Sequence, residues 1–371
     1  MPRVLLIFGT RPEAIKMAPL VHVLKQRGES EAITCVTAQH RQMLDQVLEW
    51  FRIQPDYDLN LMQPNQTLAI LTGRALQGVT EVIEQVRPDV VLVQGDTTTA
   101  MASAMAAFYL RVPVGHVEAG LRTHDIYNPF PEEVNRHLIS VMGTYHFAPT
   151  ETARTALLSE GVDPASIYLT GNTVIDALQW TVAQPYTLDL GLPLNNPGER
   201  LILVTAHRRE SFGKDFVSIC EALKQIALRN PDVRLVYPVH LNPNVQEPVR
   251  QILGGVERVH LIDPLPYPDF AHLMARSTLV LTDSGGLQEE APALGKPVLV
   301  MRRTTERPEA VEAGTAKLVG TDTSTIVAET ERLLRDPAVY HAMASAVSPF
   351  GDGHAAERIA DILSSALAKQ S

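Results

Sequence analysis

The chain has 371 residues, of which 45% are hydrophobic and 20% charged, and its formal net charge is −10. This length favours two domains, each with its own core, and the acidic balance argues against a nucleic-acid partner. Neither a signal peptide nor an apolar run of membrane-spanning length is recognised, so we expect a cytoplasmic protein with no membrane role.

Strands alternate with helices through the first half of the chain. Short apolar runs predict buried strands, and apolar residues at helical spacing predict the helices between them. The predicted strands are residues 3–8, 33–37, 88–94, 113–117, 145–148 and 167–170. The predicted helices are residues 17–26, 39–51, 67–86, 100–110, 134–142 and 151–160, followed by a short helix near Trp180. Residues 56–66 and 125–133 are predicted to be irregular.

The same alternation resumes after residues 184–200, whose Pro, Gly and Asn content indicates a linker or a long loop. Further strands are predicted at residues 201–205, 234–238, 259–262, 279–281, 297–301 and 316–319. Further helices are predicted at residues 215–229, 269–275, 287–294, 326–335 and 355–369. Such alternation is typical of parallel sheets covered by helices on both faces. The prediction is therefore an α/β protein with two doubly wound, Rossmann-like domains that face a cleft.

Residues 278–300 carry the pattern that says most about a ligand. An apolar strand is followed by the turn Asp283-Ser-Gly-Gly and by a helix that ends at Gly295. A helix N-terminus offers free N–H groups, and two glycines let an anion approach them, so a phosphate or diphosphate is predicted there. Glu289 and Glu290, one turn later, suit hydrogen bonds to the hydroxyls of a ribose. The alternative is an ordinary turn followed by a solvated pair of glutamates.

Charged side chains also follow three predicted strands of the first half. Arg11, Asp96 and Glu118 each come directly after a strand. Ligands of parallel sheets bind outside the carboxyl ends of the strands, so these residues are candidates for a site. The alternative for Asp96 and Glu118 is a helix cap or a turn carboxylate. In the second half, the basic cluster that begins at His207 suits a small anionic ligand.

Several familiar motifs do not occur. No Gly-x-Gly-x-x-Gly follows the first strand, and no phosphate loop, zinc-protease motif or serine nucleophile elbow is found. The two cysteines, Cys35 and Cys220, have neither metal-ligand nor disulfide spacing, as expected of a reduced protein. No metal site is therefore predicted.

The motifs that do occur form an ordered set. They are GTRPEAIK at 9–16, QGDTTT at 94–99, GHVEAGLR at 115–122, NPFPEE at 128–133, GNTVID at 171–176, HRRE at 207–210 and DSGG at 283–286. Together they resemble the bacterial non-hydrolysing UDP-N-acetylglucosamine 2-epimerase family, over nearly the whole chain. The resemblance implies a glycosyltransferase-B type of fold. It implies an acid/base domain of residues 1–170, joined by a returning helix at 355–371, and a UDP-binding domain of residues 171–354.

The resemblance also implies the reaction and its partners. UDP-N-acetylglucosamine and UDP-N-acetylmannosamine interconvert by inversion at C2, as UDP is eliminated to give 2-acetamidoglucal and is then re-added. No cofactor is needed, and family members are generally homodimers. Some of them require UDP-N-acetylglucosamine as an allosteric activator.

By match to the family, each candidate residue receives a role. The residues implied to bind the UDP part are Arg11, Lys16, His207, Ser284, Gly285, Gly286, Glu290 and Arg307. The uracil is implied to lie at Phe270 and at the backbone near Leu265, where the family often has Gln. The implied acid/base carboxylates are Asp96, Glu118 and Glu132, with His207 as a further candidate, and Asp96 and Glu118 are also implied to bind the substrate. Arg136 either orients a carboxylate or is a surface residue. The implied allosteric positions are Gln42, Gln46, Arg208 and His240, although Gln42 and Gln46 also suit a polar helix face.

Three rival functions remain open from the sequence. A transferase of the same fold keeps the UDP site but needs an acceptor for the sugar. A hydrolysing 2-epimerase releases free N-acetylmannosamine and UDP. A non-catalytic nucleotide-sugar sensor binds UDP without exchanging the C2 proton.

Overall fold

The computed structural model describes residues 1–38, 41–63, 66–192 and 198–368. The strands of these residues are β1 (Arg3–Phe8), β2 (Glu31–Val36), β3 (Tyr57–Asp58), β4 (Val90–Gln94), β5 (Val114–Val117), β6 (Tyr145–Ala148), β7 (Ile167–Leu169), β8 (Arg200–Thr205), β9 (Val233–Pro238), β10 (Val259–Ile262), β11 (Leu279–Thr282), β12 (Val298–Val300) and β13 (Ala316–Leu318).

The helices are α1 (Arg11–Arg27), α2 (Arg41–Trp50), α3 (Leu68–Val86), α4 (Thr98–Tyr109), α5 (Glu132–Met142), α6 (Glu151–Ser159), α7 (Thr173–Ala183), α8 (Lys214–Arg229), α9 (Pro243–Leu253), α10 (Tyr267–Arg276), α11 (Gly285–Ala293), α12 (Pro308–Glu312), α13 (Thr323–Arg335), α14 (Pro337–Ala344) and α15 (Ala355–Ala368). No helix in the described ranges is both long and apolar enough to cross a membrane.

The chain forms two compact units, one made of Met1–Trp180 with Phe350–Ser371 and the other of Thr181–Pro349. The first contains a parallel sheet in the order β3-β2-β1-β4-β5-β6-β7. The second contains a parallel sheet in the order β10-β9-β8-β11-β12-β13. The prediction of two doubly wound parallel sheets is confirmed. The division of acid/base chemistry and UDP binding between residues 1–170 and 171–354 stays a prediction.

Each sheet has a point where the strand order reverses. The chain moves outward from β1 to β3 and then returns to place β4 beside β1, and in the second sheet β11 returns to the side of β8. At such a switch point the loops after two neighbouring strands diverge and leave a crevice at the carboxyl edge. The crevices therefore lie after β1 and β4 in one unit and after β8 and β11 in the other.

The strands are apolar because helices cover both of their faces. All five residues from Val4 to Phe8 in β1 are fully buried, as are Val91, Leu92 and Val93 in β4. A strand buried on both faces needs apolar residues at consecutive positions, which explains why the sequence predicts these strands well. The alanine-rich helix α4 packs against this part of the sheet, with Ala100 and Ala104 buried in the same core.

Some predicted elements differ from the structure. The region 56–66 was predicted to be irregular, but β3 pairs with Cys35 and Val36 at the sheet edge. The helix predicted to begin at 287 begins at Gly285, because Ser284 is the last residue in extended conformation. Helices α9, α12 and α14 were not predicted. Each has proline at its first position, where the missing N–H costs nothing.

The returning helix α15 is fixed to the first unit by Asp176. Its Oδ1 accepts a hydrogen bond of 2.8 Å from the N–H of Ala356, in the first turn of α15. Asp176 is only 8% exposed. Burial raises the pKa of its carboxyl group from 3.8 to about 6. Its contribution to stability is therefore fully present below pH 3.8 and is lost as the pH rises through about 6.

Asp176→Asn is expected to affect the stability of the protein differently below and above the pH range in which Asp176 ionises. The amide keeps an oxygen for the N–H of Ala356 but carries no charge. The free energy of unfolding of the variant, relative to that of the wild type, should rise by about 2–3 kcal/mol as the pH is raised from about 4 to about 7.5. Urea unfolding at both pH values measures the difference, with the exposed cap variant Asp163→Asn as the control. An equal effect of Asp176→Asn at both pH values would contradict the prediction.

Candidate functional site

Glu118 follows β5 and has a backbone conformation that few glutamates adopt. Its φ is 64°, in the left-handed region, where a residue with a side chain is strained by about 1–3 kcal/mol. The residue is only 7% exposed. The ammonium group of Lys16, from α1, contacts both carboxylate oxygens, at 2.7 Å from Oε1 and 2.6 Å from Oε2. The turn therefore aims a buried carboxylate at the carboxyl edge of the sheet, beside a cation.

Two buried amides also contact this carboxylate. Gln94, the last residue of β4, donates through Nε2 to Glu118 Oε2. Asn172, just before α7, donates through Nδ2 to Glu118 Oε1 at 3.0 Å. Both oxygens thus accept from an amide as well as from Lys16, an arrangement that fixes the carboxylate.

Asp96 lies after β4 and is held by Arg136 of α5. The Nε and Nη2 atoms of Arg136 lie 2.9 and 2.7 Å from Asp96 Oδ2. Its Nη1 donates at 2.9 Å to Glu133. Of the two alternatives for Arg136, orientation of a carboxylate is the one that the contacts support, and the carboxylate is that of Asp96.

Glu133 is a residue that the sequence reasoning missed. It is fully buried and accepts hydrogen bonds from the N–H groups of Thr123 and His124, at 3.0 and 2.9 Å. Burial alone would raise the pKa of Glu133, but these hydrogen bonds and Arg136 outweigh it and leave the pKa below the ordinary value. Glu133 thereby joins the loop after β5 to the arginine that holds Asp96.

Glu132 begins α5 next to this group. Its Oε2 atom is buried and has no hydrogen-bond partner among the described residues. A buried carboxyl oxygen without a partner is costly unless a ligand or water completes it. Glu132 is therefore well suited to meet a substrate, in agreement with its predicted acid/base role, which stays a prediction.

The loop after β1 is organised by Glu13, which was also missed. Glu13 is buried and accepts from the N–H groups of Gly9 and Thr10 and, at 2.6 Å, from the hydroxyl of Thr97. The pattern Thr10-x-x-Glu13 is a capping box at the start of α1, and this signal is visible in the sequence. Arg11, the first residue of α1, is exposed at the same edge.

In the second unit, Asp283 joins the loops that follow β8 and β11. Its Oδ2 accepts from the N–H groups of His207 and Arg208, at 2.6 and 2.7 Å. Its buried Oδ1 lies 3.6 Å from His207 Nδ1. Burial is the largest influence that lowers the pKa of His207, although Asp283 acts in the opposite direction. At neutral pH the imidazole is therefore mostly uncharged, the form that accepts a proton.

His240 lies against His207. The two rings are stacked, with centroids 5.2 Å apart. Gln46 is exposed on α2, and the side chain of Gln42 lies outside the described residues. The allosteric role predicted for Gln42, Gln46, Arg208 and His240 stays a prediction.

The N-terminus of α11 has the geometry expected of an anion site. Ser284 precedes the helix, and its hydroxyl does not cap it. Gly286 is exposed, and a Cβ atom there would lie 3.3 Å from Glu290 Oε1 and 4.0 Å from Ser284 Oγ. The Nη2 atom of Arg208 lies 3.7 Å from the corresponding position at Gly285. A hydroxyl, a guanidinium and a carboxylate thus surround open helical N–H groups.

Arg307 and Glu289 form an ion pair in this unit. The Nε of Arg307 donates to Glu289 Oε1, and Glu289 is only 4% exposed. Glu289 is thus held inside the unit by Arg307, while Glu290 is the more exposed of the two glutamates. The predicted contact of Arg307 with a diphosphate stays a prediction.

The two positions predicted to hold the uracil lie at and before α10. Leu265 and Phe270 are both half-buried, and the N–H of Phe270 bonds to the carbonyl of Pro266 at 3.0 Å. The Asp269 carboxylate accepts from the hydroxyl of Tyr186 at 2.5 Å, which fixes α10 to the chain that enters the unit. Within the described ranges, no group of three or more His, Cys, Asp or Glu side chains is arranged to hold a metal ion.

Two doubly wound parallel sheets, each with charged residues at its switch point, define a nucleotide-binding α/β enzyme of the glycosyltransferase-B type. A family model described as UDP-N-acetylglucosamine 2-epimerase matches residues 22–364. The chain belongs to this family, and the predicted resemblance is confirmed.

Individual relatives match over almost the whole length. The UDP-N-acetylglucosamine 2-epimerase of Escherichia coli K12 is 58% identical over 368 residues, which cover 97% of this chain and 98% of the relative. The crystal structure of the Neisseria meningitidis enzyme bound to UDP-GlcNAc has a TM-score of 0.88 at 48% identity and covers 97% of this chain and 99% of its own. A Staphylococcus aureus MnaA–UDP structure has the same TM-score and identity, and the match covers 99% of this chain and 97% of that chain.

Proposed function

We propose that the chain interconverts UDP-N-acetylglucosamine and UDP-N-acetylmannosamine without net hydrolysis, by elimination and re-addition of UDP. The observation that carries the proposal is Glu118, a buried carboxylate in a left-handed backbone conformation that Lys16, Gln94 and Asn172 orient at the carboxyl edge of the first sheet. Family membership supports the reaction type, and the Neisseria meningitidis relative bound to UDP-GlcNAc supports the substrate.

The chemistry sets two demands on the site. In the elimination, the C1–O bond breaks with its electron pair going to UDP, the C2 proton goes to a base, and a C1=C2 double bond forms. A proton then adds to the opposite face of C2, and a phosphate oxygen of UDP attacks C1. The site must stabilise charge on the diphosphate and provide proton acceptors and donors on both faces of the sugar.

The two units contain groups for both demands. The N-terminus of α11, with Ser284, Gly285 and Gly286, offers N–H groups to the diphosphate, and Glu290 is placed for the ribose. Arg11, Lys16 and Arg307 are the further cations proposed for UDP, and Lys16 also holds Glu118. The groups proposed to move protons are Asp96, Glu118, Glu132 and His207.

The proposal also covers the fate of the products, the oligomeric state, the location, the regulation and the cofactor. The absence of hydrolysis rests on the ordered motifs shared with the non-hydrolysing members. A homodimer and activation by UDP-N-acetylglucosamine rest on the same resemblance, and a cytoplasmic location rests on the sequence features described above. No cofactor takes part, since the elimination needs neither an oxidant nor a reductant.

Proton NMR of UDP-N-acetylglucosamine with the enzyme in D₂O tests the reaction. Deuterium is expected at C2 of both epimers, because each proton lost at C2 is replaced from solvent. The mixture should reach the same epimer ratio from either starting nucleotide sugar. Accumulation of free N-acetylmannosamine would instead favour a hydrolysing enzyme. A requirement for an added acceptor would favour a transferase. Binding of UDP without entry of deuterium at C2 would favour a sensor.

A further inference from the structure

Asn172 is a buried residue between β7 and α7, and both its side chain and its backbone make hydrogen bonds. It is 2% exposed. Its Nδ2 donates to Glu118 Oε1 at 3.0 Å, and its Oδ1 accepts from the N–H of Val174 at 3.1 Å. Its backbone N–H donates to the carbonyl of Phe350 at 2.7 Å. The residue thus connects a candidate catalytic carboxylate, the start of a helix and the returning end of the chain.

The orientation of the Asn172 amide is determined by these partners. The N–H of Val174 can only donate, so it must meet the amide oxygen. The NH₂ group must then face Glu118, which as a carboxylate can only accept. A flipped amide would lose both hydrogen bonds. The side chain therefore has one rotamer and one amide orientation that satisfy its surroundings.

The backbone around Asn172 is fixed by a close approach of two chain segments. A Cβ atom on Gly171 would lie 3.1 Å from the Cα of Gly351, and one on Gly351 would lie 3.4 Å from the N atom of Asn172. Both glycines have positive φ, of 85° and 125°. Phe350 and Gly351 are the first residues after the chain leaves the second unit. The position of Asn172 thus depends on how the returning chain is seated.

We propose that Asn172 is a positioning residue of the reaction: its amide holds Glu118 Oε1 while the amide of Gln94 holds Oε2, so that the carboxylate keeps one orientation towards the sugar. The inference rests on the proposed function. Lys16 supplies charge to both oxygens, but an ammonium group rotates freely and has no preferred plane. The Asn172 amide is held by the N–H of Val174 and the Gln94 amide is buried at the end of β4, so both favour one plane of the carboxylate.

Two variants of Asn172 test this role while keeping the helix start. Asn172→Ser and Asn172→Asp both retain an oxygen that accepts from the N–H of Val174, since serine and aspartate are favoured helix caps. Serine removes the amide donor, and kcat is expected to fall about tenfold. Aspartate places an acceptor against Glu118, and kcat should fall about 100-fold. KM and the affinity for UDP should stay within about threefold of the wild type, because the substrate still binds.

The pH profile separates positioning from a general loss of structure. In Asn172→Asp the acidic limb of the kcat profile should move to higher pH, because two adjacent carboxyl groups resist being ionised together. Asp322→Ser is the matched control. It changes another helix cap, whose Oδ1 accepts from Thr325 N–H at 2.9 Å in the second unit, and it should leave the profile unchanged.

The outcomes distinguish the inference from the proposed function. If the wild type does not interconvert the two nucleotide sugars, the proposed function is wrong and the inference with it. If the wild type does so and both Asn172 variants keep its kcat and pH profile, only the inference is overturned. Equal losses of kcat, UDP affinity and stability in both variants would show a structural role and would also overturn it.

Discussion

Glu118→Gln is expected to lower kcat for the interconversion by about 10³-fold, the effect of removing a general acid or base. Glutamine has the size of glutamate but cannot take up a proton at neutral pH. Its NH₂ group would also face a donor of the carboxylate, namely the ammonium of Lys16 or the amide of Gln94 or Asn172. The loss of the proton acceptor, which is the larger effect, acts on the reacting sugar rather than on the nucleotide.

Binding of UDP should therefore be largely retained in Glu118→Gln. Calorimetric titration with UDP and the rate of deuterium entry at C2 measure binding and chemistry separately. The control is Glu151→Gln, a surface glutamate paired with Arg154 at 3.2 Å, which should turn over normally. Turnover of Glu118→Gln at the wild-type rate would remove Glu118 from the catalytic group.

The sequence predicted the strands and their carboxyl-end residues because parallel strands leave a strong signal. An apolar run such as β4 ends at Gln94, and polar residues such as Asp96 stand out after it. The alternation of strands and helices along the chain also predicts that the loops after the strands share one edge of the sheet. For this reason, Asp96 and Glu118 were singled out before their neighbours were known.

The partners of those residues were not predictable in the same way. Lys16 and Glu118 are 102 positions apart, and a sequence shows which charges exist but not which of them meet. Asn172 had no charge to attract attention, although it is bonded to Glu118. Arg307 was expected to meet a diphosphate, and its contact with Glu289 emerges only when the loop after β12 is folded against α11.

The helices that were not predicted from the sequence contain proline. In α9, Pro243 and Pro248 suggest a loop when they are read as helix breakers. Pro243 instead occupies the first helical position, after the cap Asn242, whose Oδ1 accepts from Asn244 N–H at 2.9 Å. The same arrangement of Asp336 and Pro337 begins α14. A proline at the first helical position is compatible with a helix, and whether it takes that position is decided by local geometry rather than by composition.

Gly286→Val is expected to weaken UDP binding about 100-fold without unfolding the protein. Gly286 is the second residue of α11, it is exposed, and its φ does not fall in the left-handed region, so valine is compatible with the helix. Glycine is itself a poor helix former, which further limits any loss of stability. The expected effect is therefore on the ligand alone.

The direction of the new side chain makes this effect large. A Cβ atom on residue 286 would lie 3.3 Å from Glu290 Oε1 and 4.0 Å from Ser284 Oγ, between the groups proposed for the ribose and for the phosphate. Gly286→Ala should lose less affinity than Gly286→Val, because it adds only this one atom. Gly73→Val, on the exposed face of α3 with no heavy atom within 4 Å of its Cβ position, is the matched control in calorimetric titrations with UDP. Wild-type affinity in Gly286→Val would mean that the diphosphate does not lie at the N-terminus of α11.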